Sequence, residues 1–597
     1  MSRLRKYLFY GLLTALWAAI YLTNITAPAL FDDADTVHAE AVKEMASSGD
    51  WVTLHINNGI RYLEKAPLMY WLSAVSVRLF GLADWALRLP VALFALFAAF
   101  LVYRAGSRFF DEKSGFYAGV VFLSGLGPFA FTRILLPDVM LAFFLATGFY
   151  FYLQVSLEPA PGRRLFGHLD VRCMGLFAAV AFAVLTKGLV GIVFSCAVIF
   201  LHLVVSGRWE VLRRLQILPG IVVFLLIAAP WHVAAGMANK GFLWFYFVNE
   251  HFLRYLGLRY PKDYDTVPVL LFWVLHLVWV FPWTAFLWGL GRSFPKAARP
   301  EAREDQVNLF LYVWVLTILL FFSFSTTQEY YTFPTLPAFA LLLGRVLGRL
   351  DSPEGAADQR KAVAGMSVVA LVGVITAVGL FALAWMGKGG GMTSDLSGTL
   401  TTNPEQYALS FGHVHDLTPA TFGHLSPLVF RTAVVILCGP LLALVAGCLK
   451  QWKLSVFFLA VMMAGLMYSY RCGMVAFEPI MSSRGLARTI EYHYQPGDRI
   501  VVNGVYERGS SINYYTGFQL SLLNGHFGNL WYGSYFPDSP PIFFNDDTFL
   551  GIWNSGERVF LFSEKQPLAD FEARHPGFAA RARTLAADGG KTVLANW

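Results

Sequence analysis

ALFDDADTVHAEAVKEMASSGDWVTLHINNGIRYLEKAPLMYW, residues 29–71, follows directly on an apolar run that reaches from about Leu8 to Thr26. Asp32, Asp33 and Asp35 stand at the mouth of that run, and His38, Glu40 and Glu44 follow on a segment with helical character. Acids in a first turn are favoured by the positive end of a helix, and one aspartate is enough to cap it. Three acids at a membrane surface repel one another, a cost that points to function.

Outward from this stretch the chain is built for lipid. Of its 597 residues 56% are apolar and 14% charged, against roughly 25% charged in soluble domains. The 17 Trp and 26 Tyr suit the headgroup level, where an amphipathic ring satisfies both phases. Runs near the length that crosses about 30 Å of hydrocarbon recur at 8–28, 88–108, 114–131, 136–155, 173–186, 188–206, 216–235, 267–290, 307–325, 331–348, 363–386, 426–448 and 454–470. These predict about thirteen transmembrane helices. The first run follows Arg3, Arg5 and Lys6, is long, and lacks a small-residue cleavage pattern, so it reads as an uncleaved span rather than a signal peptide.

Every second loop then carries the Lys and Arg excess of a cytoplasmic loop: Arg104, Arg108 and Lys113; Arg163, Arg164 and Arg172; Arg208, Arg213 and Arg214; Arg292, Lys296, Arg299 and Arg303; Arg345, Arg349, Arg360 and Lys361; Lys450 and Lys453. Basic residues spread in this way explain the net charge of +7 without nucleic-acid binding. Cys173, Cys196, Cys438, Cys448 and Cys472 lie in or beside apolar runs with no metal-type spacing.

Three outer regions are long, at 29–87, 236–266 and 474–597. In the first, Pro67–Gly81 is apolar but short and interrupted by Arg78, which predicts a helix lying in the interface. In the last, Arg499–Val505 and Arg558–Phe562 read as strands between turn residues. The expected division is a membrane domain over 1–473 and a periplasmic α/β domain over 474–597.

The motifs Ala39-Glu40, Gly49-Asp50-Trp51 and Arg61-Tyr62-Leu63-Glu64-Lys65-Ala66-Pro67-Leu68-Met69-Tyr70-Trp71 resemble the first periplasmic loop of membrane glycosyltransferases of the GT-C fold. The nearest resemblance is to the lipid A aminoarabinose transferases, with protein O-mannosyltransferases more distant. It implies a mostly α, polytopic GT-C protein with about thirteen transmembrane helices and a C-terminal periplasmic α/β domain. An ungapped alignment sets Ala34 at the aminoarabinose transferases' catalytic Asp, between Asp33 and Asp35, whereas Asp35-Thr36-Val37-His38 matches the mannosyltransferase pattern Asp-Glu-Val-His. Asp35 is the preferred catalytic acid, with Asp33 close behind.

Asp138, at the outer mouth of the fourth span, is costly there unless partnered; it is a second catalytic candidate, and pairing with Arg133 is the plainer role. Lys187-Gly188 resembles the family's Lys-Gly-Pro, while a snorkelling lysine explains it equally. Asn249-Glu250-His251-Phe252-Leu253-Arg254 and the following Arg259-Tyr260-Pro261-Lys262-Asp263-Tyr264 resemble a family basic loop. With Tyr62 and Lys65, the cations Arg254, Arg259 and Lys262 make the expected donor-phosphate surface, unless they meet lipid headgroups instead. Glu64 matches a family residue linked to a metal, but Arg259 and Tyr260 stand where its histidine partner belongs, so the cofactor expectation is a divalent cation or none. Glu329, in a polar loop where the family's lysine is replaced, is a further site candidate.

The expected activity is inverting transfer of a sugar from a polyprenyl-phosphate donor to lipid A or another envelope glycolipid, at the periplasmic face of a bacterial inner membrane. Polyprenyl phosphate leaves as a weakly basic anion and needs fixed positive charge, and a carboxylate activates or orients the acceptor from the opposite side. A protein O-glycosyltransferase is the alternative with a protein acceptor. A flippase of polyprenyl-linked sugar is the alternative of another class; it predicts ionisable residues at mid-membrane and repeated halves, and no repeat is visible.

Overall fold

Each expected apolar run has helix beneath it in the computed structural model, which describes residues 3–158, 160, 162–262, 266–297, 299–350, 352, 355–387 and 425–597. Among the described residues eight helices are long and apolar enough to cross a membrane, and a pair bent by 48°, Glu112–Ser124 with Leu126–Thr132, makes a ninth. The runs expected at 173–186 and 188–206 are Val171–Lys187 and Val190–Ser206, each of 17 residues. At 1.5 Å per residue such helices reach about 25 Å, short of the full hydrocarbon thickness. The run at 267–290 is broken into Val269–Trp279, a 3₁₀ turn Trp283–Phe286 and Trp288–Ser293. Pro282 sits at that break, and proline withholds an amide and turns the preceding residue away from helix. The chain is therefore a mostly helical, multi-pass membrane protein whose helices are less uniform than apolar runs alone suggest.

The lipid-facing side is plain in Ile217–Ala238, where Leu218, Leu226 and Met237 are 78, 71 and 83% exposed. A helix this apolar on its open face is stable only against a solvent that forms no hydrogen bonds. Inside the bundle, small residues let backbones meet. A Cβ on Gly106 would lie 2.6 Å from Gly115 Cα, and one on Gly344 2.5 Å from the Ala118 backbone. This close approach locks Asp84–Phe109, Glu112–Ser124 and Leu336–Leu350 together.

The loops sort to two ends. At one end Glu158 accepts from Arg108 and Arg303, while Arg345 bridges Asp111 and Glu304, joining loops from four parts of the chain. At the other end the first long loop meets the C-terminal region. There the helix Ala34–Ser48 ends at Gly49, whose φ of 76° suits glycine and whose N–H donates to the Met45 carbonyl. A hairpin, His55–Ile56 with Ile60–Arg61, is tied back to that helix by Asn58 and Gly59 N–H groups donating to Glu44. The expected interfacial segment is the helix Leu68–Phe80, with Val75, Leu79 and Phe80 exposed on one side.

The C-terminal region carries six strands, Arg499–Asn503, Leu520–Leu523, Phe543–Phe544, Val559–Glu564, Arg583–Asp588 and Lys591–Ala595. The first four pair in parallel and the last two add as an antiparallel edge. Arg499–Asn503 and Val559–Glu564 are the central strands, buried on both faces, which is why they stand out in the sequence as near-continuous apolar runs.

Candidate functional site

The three acids of the first loop separate into three environments. Asp32 binds the C-terminal region: its carboxylate accepts from Ser511 N–H at 2.8 Å, Ser483 hydroxyl at 2.7 Å and the Lys591 ammonium at 2.8 Å. Asp35 is buried and turned into the bundle, accepting from Leu135 N–H at 2.7 Å and Phe31 N–H at 3.3 Å, with Arg88 at 3.6 Å. Arg88 in turn donates to the Pro28 carbonyl at 2.7 Å, so this group pins the loop to the membrane helices. Asp33 holds a φ of 66° at the start of Ala34–Ser48, and its side chain makes no capping hydrogen bond. It opens instead into a cavity.

That cavity, of about 1320 Å³, lies between the first loop, the membrane helices and the C-terminal sheet. Asp33, Asp35, Tyr62, Glu64, Lys65, Asp138, Lys187 and Arg254 all reach its wall. Apolar side chains such as Val193, Phe194, Phe321 and Phe322 line the part that descends among the helices. A space with an apolar arm and a few convergent charges suits a lipid with a polar head.

Lys187 and Asp138 form an ion pair of 2.5 Å, and the ammonium also lies 5.0 and 4.9 Å from the Tyr330 and Tyr331 rings. The plainer partner considered for Asp138, Arg133, bonds elsewhere, to the Thr23 carbonyl at 3.2 Å. Gly188 is required at the turn behind Lys187, because its φ is 73° and a Cβ there would overlap His251 Nε2. His38, from the first-loop helix, also faces the cavity and is paired with the Tyr70 hydroxyl at 2.6 Å.

Arg259 is not on the cavity wall. It is buried behind it, its Nη2 donating to Glu64 Oε2 at 2.8 Å and its Nε to both Glu250 oxygens at 2.8 and 2.9 Å. Lys65 lies 3.6 Å from Glu64, and Arg254 3.7 Å from Glu250. The guanidinium of Arg259 thus stands between two carboxylates where the resemblance calls for a histidine and a metal. It is itself the cation and has no lone pair to give, so these residues do not fit a divalent metal. Lys262 is exposed and Glu329 is buried; neither lines the cavity. Asp263 and Tyr264 lie outside the described residues.

Although Asp33 is exposed to the cavity, desolvation by the surrounding protein pushes its carboxyl up to about 6; Lys65 pulls it down, and Asp32, Glu64 and Asp35 push it further up. Burial likewise lowers the Lys65 ammonium, with Glu64 opposing. The site therefore holds a carboxylate poised near neutrality within the field of a partly desolvated cation. That is an arrangement for proton acceptance beside a bound anion.

The sequence reading missed the contribution of the C-terminal region to the same cavity, notably Glu507, Arg508 and Lys591. Nothing near Glu507 in the chain marks it. Its place follows from a backbone contact, Asp33 N–H donating to the Glu507 carbonyl at 3.0 Å, between residues far apart in sequence.

Fold and cavity together define a multi-pass membrane protein with a large cavity where its helices meet the first long loop and the C-terminal sheet. The fold matches the crystal structure of ArnT from Cupriavidus metallidurans bound to undecaprenyl phosphate with a TM-score of 0.77, at 23% identity, over 100% of this chain and 99% of that one. Residues 64–233 match the family model described as dolichyl-phosphate-mannose-protein mannosyltransferase. In sequence the chain is 27% identical over 328 residues to the undecaprenyl phosphate-alpha-4-amino-4-deoxy-L-arabinose arabinosyl transferase of Aeromonas hydrophila, covering 54% of this chain and 57% of that protein. It is 28% identical over 340 residues to the enzyme of the same name from Yersinia enterocolitica, covering 56 and 58%. The chain thus spans a little over half the length of these curated relatives.

Proposed function

We propose that this protein is an inverting glycosyltransferase that moves an amino sugar from a polyprenyl-phosphate carrier to lipid A or a similar envelope glycolipid. The observation that carries the reading is the cavity wall, where Asp33, with no capping bond to make, faces Lys65 and Arg254 at the head of an apolar arm. The sugar is taken from the names of the relatives.

In this mechanism the isoprenoid lies along Phe194, Phe321 and Phe322, and its phosphate meets Lys65 and Arg254. Tyr62 lines the same wall. An acceptor oxygen attacks the anomeric carbon from the side opposite the phosphate, and the bond between that carbon and the phosphate oxygen breaks. The phosphate keeps the electron pair and leaves as an anion, stabilised by the two cations. Where the acceptor is a hydroxyl its proton passes to Asp33; where it is a phosphate, none need move. Lys187, paired with Asp138 and set on two tyrosine rings, adds a further fixed cation to the cavity wall. Asp35 keeps the loop in register rather than reacting.

In the membrane this reading has thirteen spans, a division near residue 473, and the cavity and C-terminal region on the periplasmic side. No metal takes part, because Arg259 fills the place between Glu64 and Glu250. Turnover is expected to persist in excess EDTA, and its loss on chelation with recovery on adding zinc or magnesium would reverse that assignment.

The decisive assay uses the full chain in liposomes with undecaprenyl phosphate carrying a radiolabelled aminopentose. Label is expected on added lipid A. Label on added protein instead would mean a protein O-glycosyltransferase. Label that crosses the bilayer unchanged on its carrier would mean a flippase.

A further inference from the structure

Glu507 follows the central strand Arg499–Asn503 on the 3₁₀ turn Tyr506–Gly509, and its carboxylate reaches the cavity from the C-terminal side. It is held in a built cradle. Oε1 accepts from Asn529 N–H at 2.7 Å, and Gly528 beneath it has a φ of 69°, where a Cβ would come within 2.5 Å of that oxygen. The other oxygen, Oε2, is buried without a hydrogen-bond partner from the protein. Glu64, which also lines the cavity, repeats the pattern: Oε2 is taken by Arg259, while Oε1 is buried with no partner from the protein, in a residue only 7% exposed. Both carboxylates line the cavity, and each has one oxygen to which the protein gives no hydrogen, the acceptor that a ligand bearing N–H or O–H groups would match.

We infer that Glu507 and Glu64 together bind the ammonium group of the transferred sugar, making the C-terminal region part of the donor site. The inference rests on the polyprenyl-phosphate donor proposed above. A primary ammonium brings three donors and a positive charge to acceptors that have no donor from the protein, while a sugar hydroxyl brings one donor and no charge. The local field agrees. Burial pushes the Glu507 carboxyl up to about 7, Asn529 N–H opposes, and Asp33 and Glu64 add to the rise, so a cation lodged there relieves a crowd of like charges. Lys65 does not fill this role, since it faces the expected phosphate and is only 3.6 Å from the other oxygen of Glu64.

The test compares two donors in liposomes holding the full chain: undecaprenyl phosphate bearing the aminopentose, and the same carrier with a hydroxyl replacing the amine. Wild type is expected to prefer the amino donor in kcat/KM. Glu507→Gln should cut that preference by ~10- to 100-fold, chiefly through KM, the range expected for losing a hydrogen bond to a charged group. Glu507→Asp should restore part of it. Gly528→Ala, which displaces the carboxylate without removing it, should shift the preference the same way and covers the case in which Glu507→Gln fails to fold. An unchanged preference in folded Glu507→Gln and Gly528→Ala overturns the inference, as does a wild type that uses both donors equally. A preference that depends on an amine in the acceptor assigns the site to the acceptor and also overturns it. Transfer from neither donor removes the glycosyltransferase reading itself, and this inference with it.

Discussion

Asp32, Asp33 and Asp35 look interchangeable as letters, and the fold gives them separate work through what each carboxylate touches. Asp35 has two amide donors and Arg88, so Asp35→Asn leaves a buried guanidinium without its counter-charge. It should lower stability by about 3–5 kcal/mol, read as a fall in thermal midpoint in detergent. Asp33→Asn touches no such network; it should leave the midpoint within a degree or two and reduce turnover by ~10²-fold or more. The reverse pattern would return the catalytic role to Asp35. The same carboxyl sets a pH dependence. Its value is raised to about 6, and the reaction with a hydroxyl acceptor needs the ionised form, so kcat/KM should fall as pH drops through that value and level off above about 7. A profile flat from pH 5 to 8 in wild type would separate Asp33 from proton transfer. The sequence made it clear that this cluster mattered, because three acids beside an apolar run are hard to explain otherwise. It did not reveal which one faces substrate, since that depends on Leu135, Arg88 and Ser511, contacts made by chain closure.

At the level of elements, the helices were readable wherever apolar length alone decides them, as in Asp84–Phe109 or Ser426–Cys448. They were less readable where packing or proline intervenes. Val171–Lys187 and Val190–Ser206 are short because Gly188 must turn beside His251, and the segment from Val269 is broken at Pro282. The central strands were visible for their continuous apolar content, while the outermost strand, Arg583–Asp588, is largely exposed and carries a mixed pattern. The junction between the first loop and the sheet could not be read in advance. Lys591, at the start of the last strand, reaches Asp32 and Ser483 and so fastens that edge to the loop that carries Asp33. Asp32→Ala should therefore loosen the C-terminal region before the membrane helices, because it leaves the Lys591 ammonium, Ser483 hydroxyl and Ser511 amide without their acceptor. Limited proteolysis of the reconstituted protein should cut near the junction at residues 474–498 several-fold faster than in wild type. An unchanged cleavage rate would mean that other contacts, such as Asp84 with Tyr515 and Glu478 with Ala29, hold the junction without it.

For the molecule as a whole, the arrangement of charge gives the membrane orientation a physical test. The loops rich in Lys and Arg gather at one end, where Arg108, Arg303 and Arg345 meet Glu158, Glu304 and Asp111. The acidic first loop, the cavity and the C-terminal sheet gather at the other. A membrane that retains basic loops on its cytoplasmic side therefore leaves the cavity outside. A lipid donor can be used there only after its head has crossed the bilayer, so orientation and chemistry stand or fall together. The native cysteines lie on or near the apolar helices and can be removed without touching the cavity wall. In such a background, Lys565→Cys at the cavity rim should react with a charged maleimide added to intact spheroplasts. Arg164→Cys, in the exposed hairpin Arg164–Leu165 with Leu169–Asp170, should react only after the membrane is opened. Labelling in the opposite sense would put Lys65 and Asp33 in the cytosol, where the basic loops would face the wrong side and the proposed carrier would have to present its sugar before export.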